Sequence, residues 1–186
     1  MNKNEKYLFG IFIRYLILIL VSLPNLFLFY LIFTPLTAYP VYWILNLFYN
    51  ASLLGGKIIL INQAIAIELI NACIAGAAYY LLLILNLSTP EIAIKKRINL
   101  ILLSFASFLI VNILRILVLS AVAISGSSFF DITHQIFWYS LSTIFVVVIW
   151  FAEVKIFKIK EVPFYSDIRF LYKNVKKRNK WKTIKK

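Results

Sequence analysis

Long apolar stretches separated by short polar clusters set the plan of this chain. Four runs approach or reach the length of a membrane-crossing helix, about 17–25 residues: Tyr15–Phe33, Ala72–Leu87, Ile98–Ile124 and Ile136–Ile156. The second is the shortest; Ser88-Thr89-Pro90 stops it, and Asn71 before it is a natural N-cap. The stretch Tyr39–Leu54 is apolar too, but it contains Asn46 and Asn50 and has Pro40 near its start. At about 16 residues it reads as an interfacial or re-entrant helix. After Gly55-Gly56, the segment KIILINQAIAIELI has β-branched residues on both sides of Asn62-Gln63, the pattern of a short hairpin. The competing reading starts the helix that carries Cys73 earlier, near Ala64. The pattern therefore predicts an all-α integral membrane protein of about four transmembrane helices, with an external interfacial helix and a short β-hairpin.

Composition agrees. The 186 residues are 62% hydrophobic and 15% charged, with a mean hydropathy of +0.88, against roughly 45–50% apolar in soluble domains. The net charge is +13, and its distribution excludes a groove that tracks nucleic-acid phosphates. Basic residues cluster at Lys3, Lys6 and Arg14, at Lys95-Lys96-Arg97, and from Lys155 onward. With the N-terminus inside, four spans place 18 of the 20 basic residues on the cytoplasmic side. Only Lys57 falls outside, and Arg115 falls within a span. This predicts one polytopic domain over residues 1–160 and a basic cytoplasmic tail over 161–186. The tail mixes aromatics with Lys and Arg, as a segment resting on anionic membrane lipids does. The first run is longer than a signal-peptide core and ends in no small-x-small cleavage site, so it reads as a retained helix. Two sequons, at Asn50 and Asn86, would report topology; only Asn50 lies outside in this arrangement.

One cysteine and one histidine can build neither a disulfide framework nor a zinc site, and the five scattered glycines form no phosphate loop. No metal or cofactor is expected. Three residues nevertheless stand out. Arg115 lies in the middle of SFLIVNILRILVLSAV, where a central arginine costs about 2.5–3.5 kcal/mol on insertion scales. Asn112 shares its helix face. Snorkelling to the outer headgroups accounts for the charge, since the residue sits about 26 Å above the inner end of its span, but it does not account for Asn112. His134, with Asp131 three residues earlier, begins the last span; Asp131 either caps that helix or holds the His134 ring. Cys73 lies about 21 Å above the inner end of its span. It falls in the first turn if Asn71 is the cap, where helix N–H groups favour a thiolate. Taken alone, Cys73 is also a common small residue of membrane helices. The charge-derived topology brings Cys73, Arg115 and His134 to one outer layer from three spans, and that trio can perform thiol acyl transfer.

In this order and at this depth, NACIAG around Cys73, Asn112-x-x-Arg115 and His134 resemble the exosortase/archaeosortase family of membrane transpeptidases, in particular its compact archaeosortases. The resemblance spans roughly Ile58 to Phe157. It implies a cysteine peptidase with Cys73 as nucleophile and Arg115 and His134 completing the catalytic set, supported by Asn112, Asp131 and Asn71. It implies exported protein substrates bearing a C-terminal motif, an apolar helix and a basic tail. These would be cleaved at the outer face of the cell membrane and transferred to an acceptor, a lipid being one candidate. Family members commonly carry Ser or Thr and then Gly directly after the cysteine; here Ile74-Ala75 precede Gly76. Two other classes remain open: a non-enzymatic scaffold or assembly subunit with Arg115 paired to a partner helix, and a small transporter. The transporter is disfavoured by the lack of paired broken helices and midplane acids.

Overall fold

Proline chemistry shapes the first apolar run. Pro24 has no amide hydrogen and restricts Leu23 before it, while Asn25 and Leu26 after it adopt left-handed backbone angles, with φ of 48° and 59°. The computed structural model describes residues 3–23, 25–90, 92–126, 132, 135–136, 142–159 and 161–172. In it the expected single span Tyr15–Phe33 is two helices, α1 (Lys3–Ser22) and α2 (Phe27–Phe48). The expected interfacial helix Tyr39–Leu54 is corrected with it. Its first part is the C-terminal half of α2, which continues through Pro35 and Pro40, and its end is a strand. Ala38, Val41 and Leu45 of α2 are buried in the common core, so the apolar packing available there outweighs the two hydrogen bonds lost at the prolines.

The remaining elements are β1 (Ala51–Leu54), β2 (Ile58–Ile61), β3 (Ile65–Glu68), α3 (Asn71–Ile74), α4 (Gly76–Ser88), α5 (Ile94–Ile124) and α6 (Ser142–Ile156). Residues 165–172 are helical as well. Three segments are long and apolar enough to cross a membrane: Phe27–Phe48, Asn71–Ser88 and Ile94–Ile124. Large apolar side chains such as Leu20, Leu31, Leu102, Leu114 and Val148 point outward along the bundle, as lipid-facing positions do. The expected fourth run, Ile136–Ile156, begins among residues outside those described.

Pairwise contacts fix the helix directions. Between the two ends of α4 and α5, Asn86 meets Ser104, Tyr79 meets Phe108, and Cys73 meets Asn112, so these helices are antiparallel. Glu153 of α6 joins the Asn86–Ser104 pair, and Tyr80 Oη donates to Leu18 O of α1 at 3.1 Å. The rings of Phe29 and Phe33 in α2 lie parallel to Tyr79, with Phe33 and Tyr79 centroids 3.6 Å apart, and both meet the Phe105 ring edge-on. Thus α2 starts near the depth at which α1 ends, and the two helices traverse the bundle in series. Gly76 fits closely here: a Cβ on it would lie 2.8 Å from the Tyr30 ring.

The hairpin expected from Asn62-Gln63 forms, and a strand that the sequence pattern does not single out extends it. The antiparallel order is β1-β2-β3, with Ala51 opposite Ile61 and Ile58 opposite Glu68. Both turns need two successive residues at positive φ: Gly55-Gly56 supply them at 57° and 71°, Asn62-Gln63 at 50° and 57°. Asn side chains tie β1 down, Asn46 Oδ1 accepting from Ala51 N and Asn62 Oδ1 from Asn50 N, each at 3.2 Å. The sheet closes one end of the bundle.

Arginines hold the other end. The last carbonyls of α4 lack helical donors, and Arg97 and Arg14 supply them. Arg97 donates to Asn86 O, Leu87 O and Thr89 O, and Arg14 to Leu87 O and Thr89 O, all at 2.8–3.2 Å. Arg14 Nη2 also donates to both carboxylate oxygens of Asp167 at 2.9 Å, and the Tyr7 hydroxyl donates to the same carboxylate. Asp167 is buried, so residues 161–172 are docked on α1 and the end of α4. Replacing Asp167 with Ala leaves a partly buried guanidinium without its carboxylate. We expect a loss of about 2–3 kcal/mol in stability and early proteolytic cleavage near residue 165, read by limited proteolysis in detergent micelles.

Candidate functional site

Cys73 sits on α3, a single helical turn set between the sheet and α4. The turn starts without the expected side-chain cap. Ile70, in extended conformation, holds the N-cap position and its carbonyl accepts from Cys73 N at 2.8 Å, while Asn71 is the first helical residue. The register is one residue off because Ile70 is still extended, with φ of −69° and ψ of 167°. The turn ends at Ala75, whose φ of 58° and ψ of 43° are left-handed, and α4 restarts at Gly76. An alanine in that region costs roughly 1–2 kcal/mol.

The break interrupts the helical ladder, and α5 repairs it. Asn112 Nδ2 donates to Cys73 O at 2.9 Å, and Arg115 Nη2 donates to Ala72 O at 3.3 Å. Both residues are buried, Asn112 at 1% and Arg115 at 7% exposure, so Arg115 does not snorkel along the surface. Their spacing of three puts them on one helix face, as the sequence indicates. Charges of both signs reach the half-buried thiol: the Arg115 guanidinium and the Glu68 carboxylate.

A cavity of about 390 Å³ opens beside Cys73, between Ile65–Ile70 on one side and Ile116, Leu119, Ser120 and Ala123 of α5 on the other. On the far side of the turn Asn71 lines two further hollows, of about 250 Å³ and about 700 Å³. Cys73, Asn112, Arg115 and Asn71 are therefore gathered around one turn. His134 and Asp131 lie outside the described residues. Among the described residues no cluster of His, Cys, Asp and Glu could hold a metal ion.

Two polar groups of the bundle do not stand out in the sequence. Glu153, 1% exposed, accepts from Ser104 Oγ at 2.6 Å and Asn86 Nδ2 at 3.2 Å at the basic end of the bundle. An acid within the last apolar run is the available signal. It also buries the Asn86 amide, so that sequon cannot be modified in the folded chain. The other is Ser120, a buried serine on the wall of the cavity beside Cys73. A serine in an apolar helix carries no signal of its own. No family model matches the chain, and neither a curated protein nor a solved structure is similar to it.

Two substitutions test this geometry. Asn112→Ala strands the Cys73 carbonyl and is expected to cost about 1–3 kcal/mol. Ala75→Gly relieves the left-handed alanine and is expected to gain about 0.5–1 kcal/mol net of glycine's entropy. Thermal unfolding in detergent reads both.

Proposed function

We propose that the chain is a membrane-embedded cysteine peptidase and transpeptidase of the exosortase/archaeosortase kind. The observation that carries this reading is the convergence of Asn112 and Arg115 on the turn that bears Cys73. The Cys73 thiolate attacks the carbonyl of a scissile peptide bond, and Arg115 stabilises the oxyanion that develops. The amine leaves with a proton delivered by His134, the chain keeps the acyl group as a thioester, and a second nucleophile takes it over. The substrates are exported proteins with C-terminal sorting signals, and a lipid amine or hydroxyl fits the role of acceptor.

A second support comes from the backbone. The family pattern has glycine two residues after the cysteine, which is position 75 here. That is where the backbone turns left-handed, the conformation glycine adopts without strain. In this chain an alanine takes that conformation.

The topology proposed is four crossings, with α1 and α2 together making the first. Both termini and the arginine-rich end then face the cytoplasm of the cell membrane, and the sheet and Cys73 face outside. The scaffold reading needs Arg115 to face a partner helix; its burial against Ala72 O within its own chain argues against that.

Cys73→Ala is expected to fold with wild-type thermal stability and to leave exported substrates full-length in the membrane. Normal processing by Cys73→Ala would exclude the mechanism. An impermeant maleimide added outside should label Cys73 near neutral pH. Arg115→Ala should slow that labelling about tenfold or more, beyond any change in the fraction folded.

A further inference from the structure

The edge of the sheet next to Cys73 has the properties of a peptide-binding strand. β3 is the last strand in the order β1-β2-β3, and among the described residues nothing pairs with its outer edge. Its register shows which groups are offered there. Leu69 N donates to Lys57 O at 2.9 Å, and Ile58 stands opposite Glu68, so Ile65, Ile67 and Leu69 turn their backbone towards β2. Ala66 and Glu68 therefore turn theirs outward, and both residues are exposed. The Glu68 carbonyl accepts from Ile70 N at 3.2 Å, which ends the available ladder just before the chain bends into α3.

The 390 Å³ cavity runs along this edge and reaches Cys73. Its size is within the range of small-ligand sites. Ile65, Ile67, Ile70, Ile116 and Leu119 make it largely apolar, and Glu68, Cys73 and Ser120 are the polar side chains of its lining. Ser120 is 2% exposed and lines the cavity, and its hydroxyl has no hydrogen-bond partner among the described residues. A buried hydroxyl without a partner is costly unless a bound group completes it. Glu68 at the rim sets the sign of charge that the mouth accepts.

We infer that an extended polypeptide segment adds to β3 as a fourth strand, filling this cavity with apolar side chains and one hydrogen-bonding side chain placed against Ser120. The segment is neutral or basic, because Glu68 repels acidic neighbours. Pairing with Ala66 holds the peptide in line, and its continuation past Glu68 runs over Ile70 to Cys73. This rests on the peptidase reading for the purpose of binding, and gives that reading a recognition mode: main-chain pairing for affinity and cavity contacts for selectivity.

The test uses the Cys73→Ala chain in nanodiscs, so that binding is read without thiol chemistry. The probe is an end-capped heptapeptide of alternating Val and Thr with one Lys and one photoreactive benzoylphenylalanine. Saturable cross-linking to residues 65–70 and 116–123 is expected. Ala66→Pro removes an outward amide at an edge position that tolerates proline, and should weaken binding about fivefold without changing thermal stability. Ser120→Ala should weaken the Thr-containing peptide about fivefold and leave an all-Val counterpart unchanged. Replacing the peptide's Lys with Glu should weaken binding of either. Absence of saturable labelling in this cavity, or labelling indifferent to both Ala66→Pro and Ser120→Ala, overturns the inference. If the peptide binds here while the wild-type chain processes no protein, the strand site stands and the peptidase reading falls. If the chain processes its substrate while the peptide ignores β3, only the strand site falls.

Discussion

The pair of hydrogen bonds from Asn112 and Arg115 to the carbonyls of Cys73 and Ala72 is what allows a broken helix at this depth. Hydrocarbon offers no donors to a backbone that leaves the helical ladder, so such breaks survive only where protein groups complete them. The left-handed residue at Ala75 creates the break, and two buried side chains one turn apart on α5 answer it. An arginine in an apolar span is expensive on its own. Here it is bonded to backbone inside the bundle. The cost of inserting it is thus offset by satisfying a group that would otherwise also be stranded.

The same principle operates at the opposite end with different parts. There α4 ends normally, and its terminal carbonyls need donors only because no further helical turn extends it. Arg14 and Arg97 provide five bonds between them, and Asp167 balances one of the two charges. At the same end, Glu153, Ser104 and Asn86 close a small polar cluster across three helices. The bundle is thus pinned towards both ends by hydrogen bonds from buried and half-buried polar groups. The stacked rings of Phe33 and Tyr79, with Phe105 edge-on to both, fill the apolar space among them.

Much of this is legible from residue type alone. The hairpin at Asn62-Gln63 is readable because it carries β-branched residues on both sides of a polar pair, and the shared face of Asn112 and Arg115 follows from helical periodicity. The division of Tyr15–Phe33 is harder to see although Pro24 lies within it, because the apolar length of the run masks the effect of one missing amide. The reverse holds at Pro40, where a proline suggests a boundary and tertiary packing of Val41 and Leu45 carries the helix through. Asn71 looks like a cap because side-chain type is local, whereas the N-cap position is decided by where the backbone leaves the extended conformation, which is after Ile70. Docking of residues 161–172 depends on Asp167, which with Glu161 is one of two acids in a basic tail. Composition averaged over the tail hides it.

The placement of Cys73 off the main helix has a mechanical consequence for any chemistry it performs. A residue inside an unbroken transmembrane helix has its backbone committed to the helix and its surroundings filled by neighbouring helices. A residue on a one-turn helix between a strand and a restarted helix can be flanked by open space, and the cavities on either side of α3 supply that space. The turn is still not loose. Ile70 fixes its start through Cys73 N, Asn112 and Arg115 fix its carbonyls from behind, and the close fit of Gly76 on Tyr30 fixes the first residue of α4. A thiol held by its backbone on three sides and left open towards a cavity meets the requirement for positioning a reacting group without burying it.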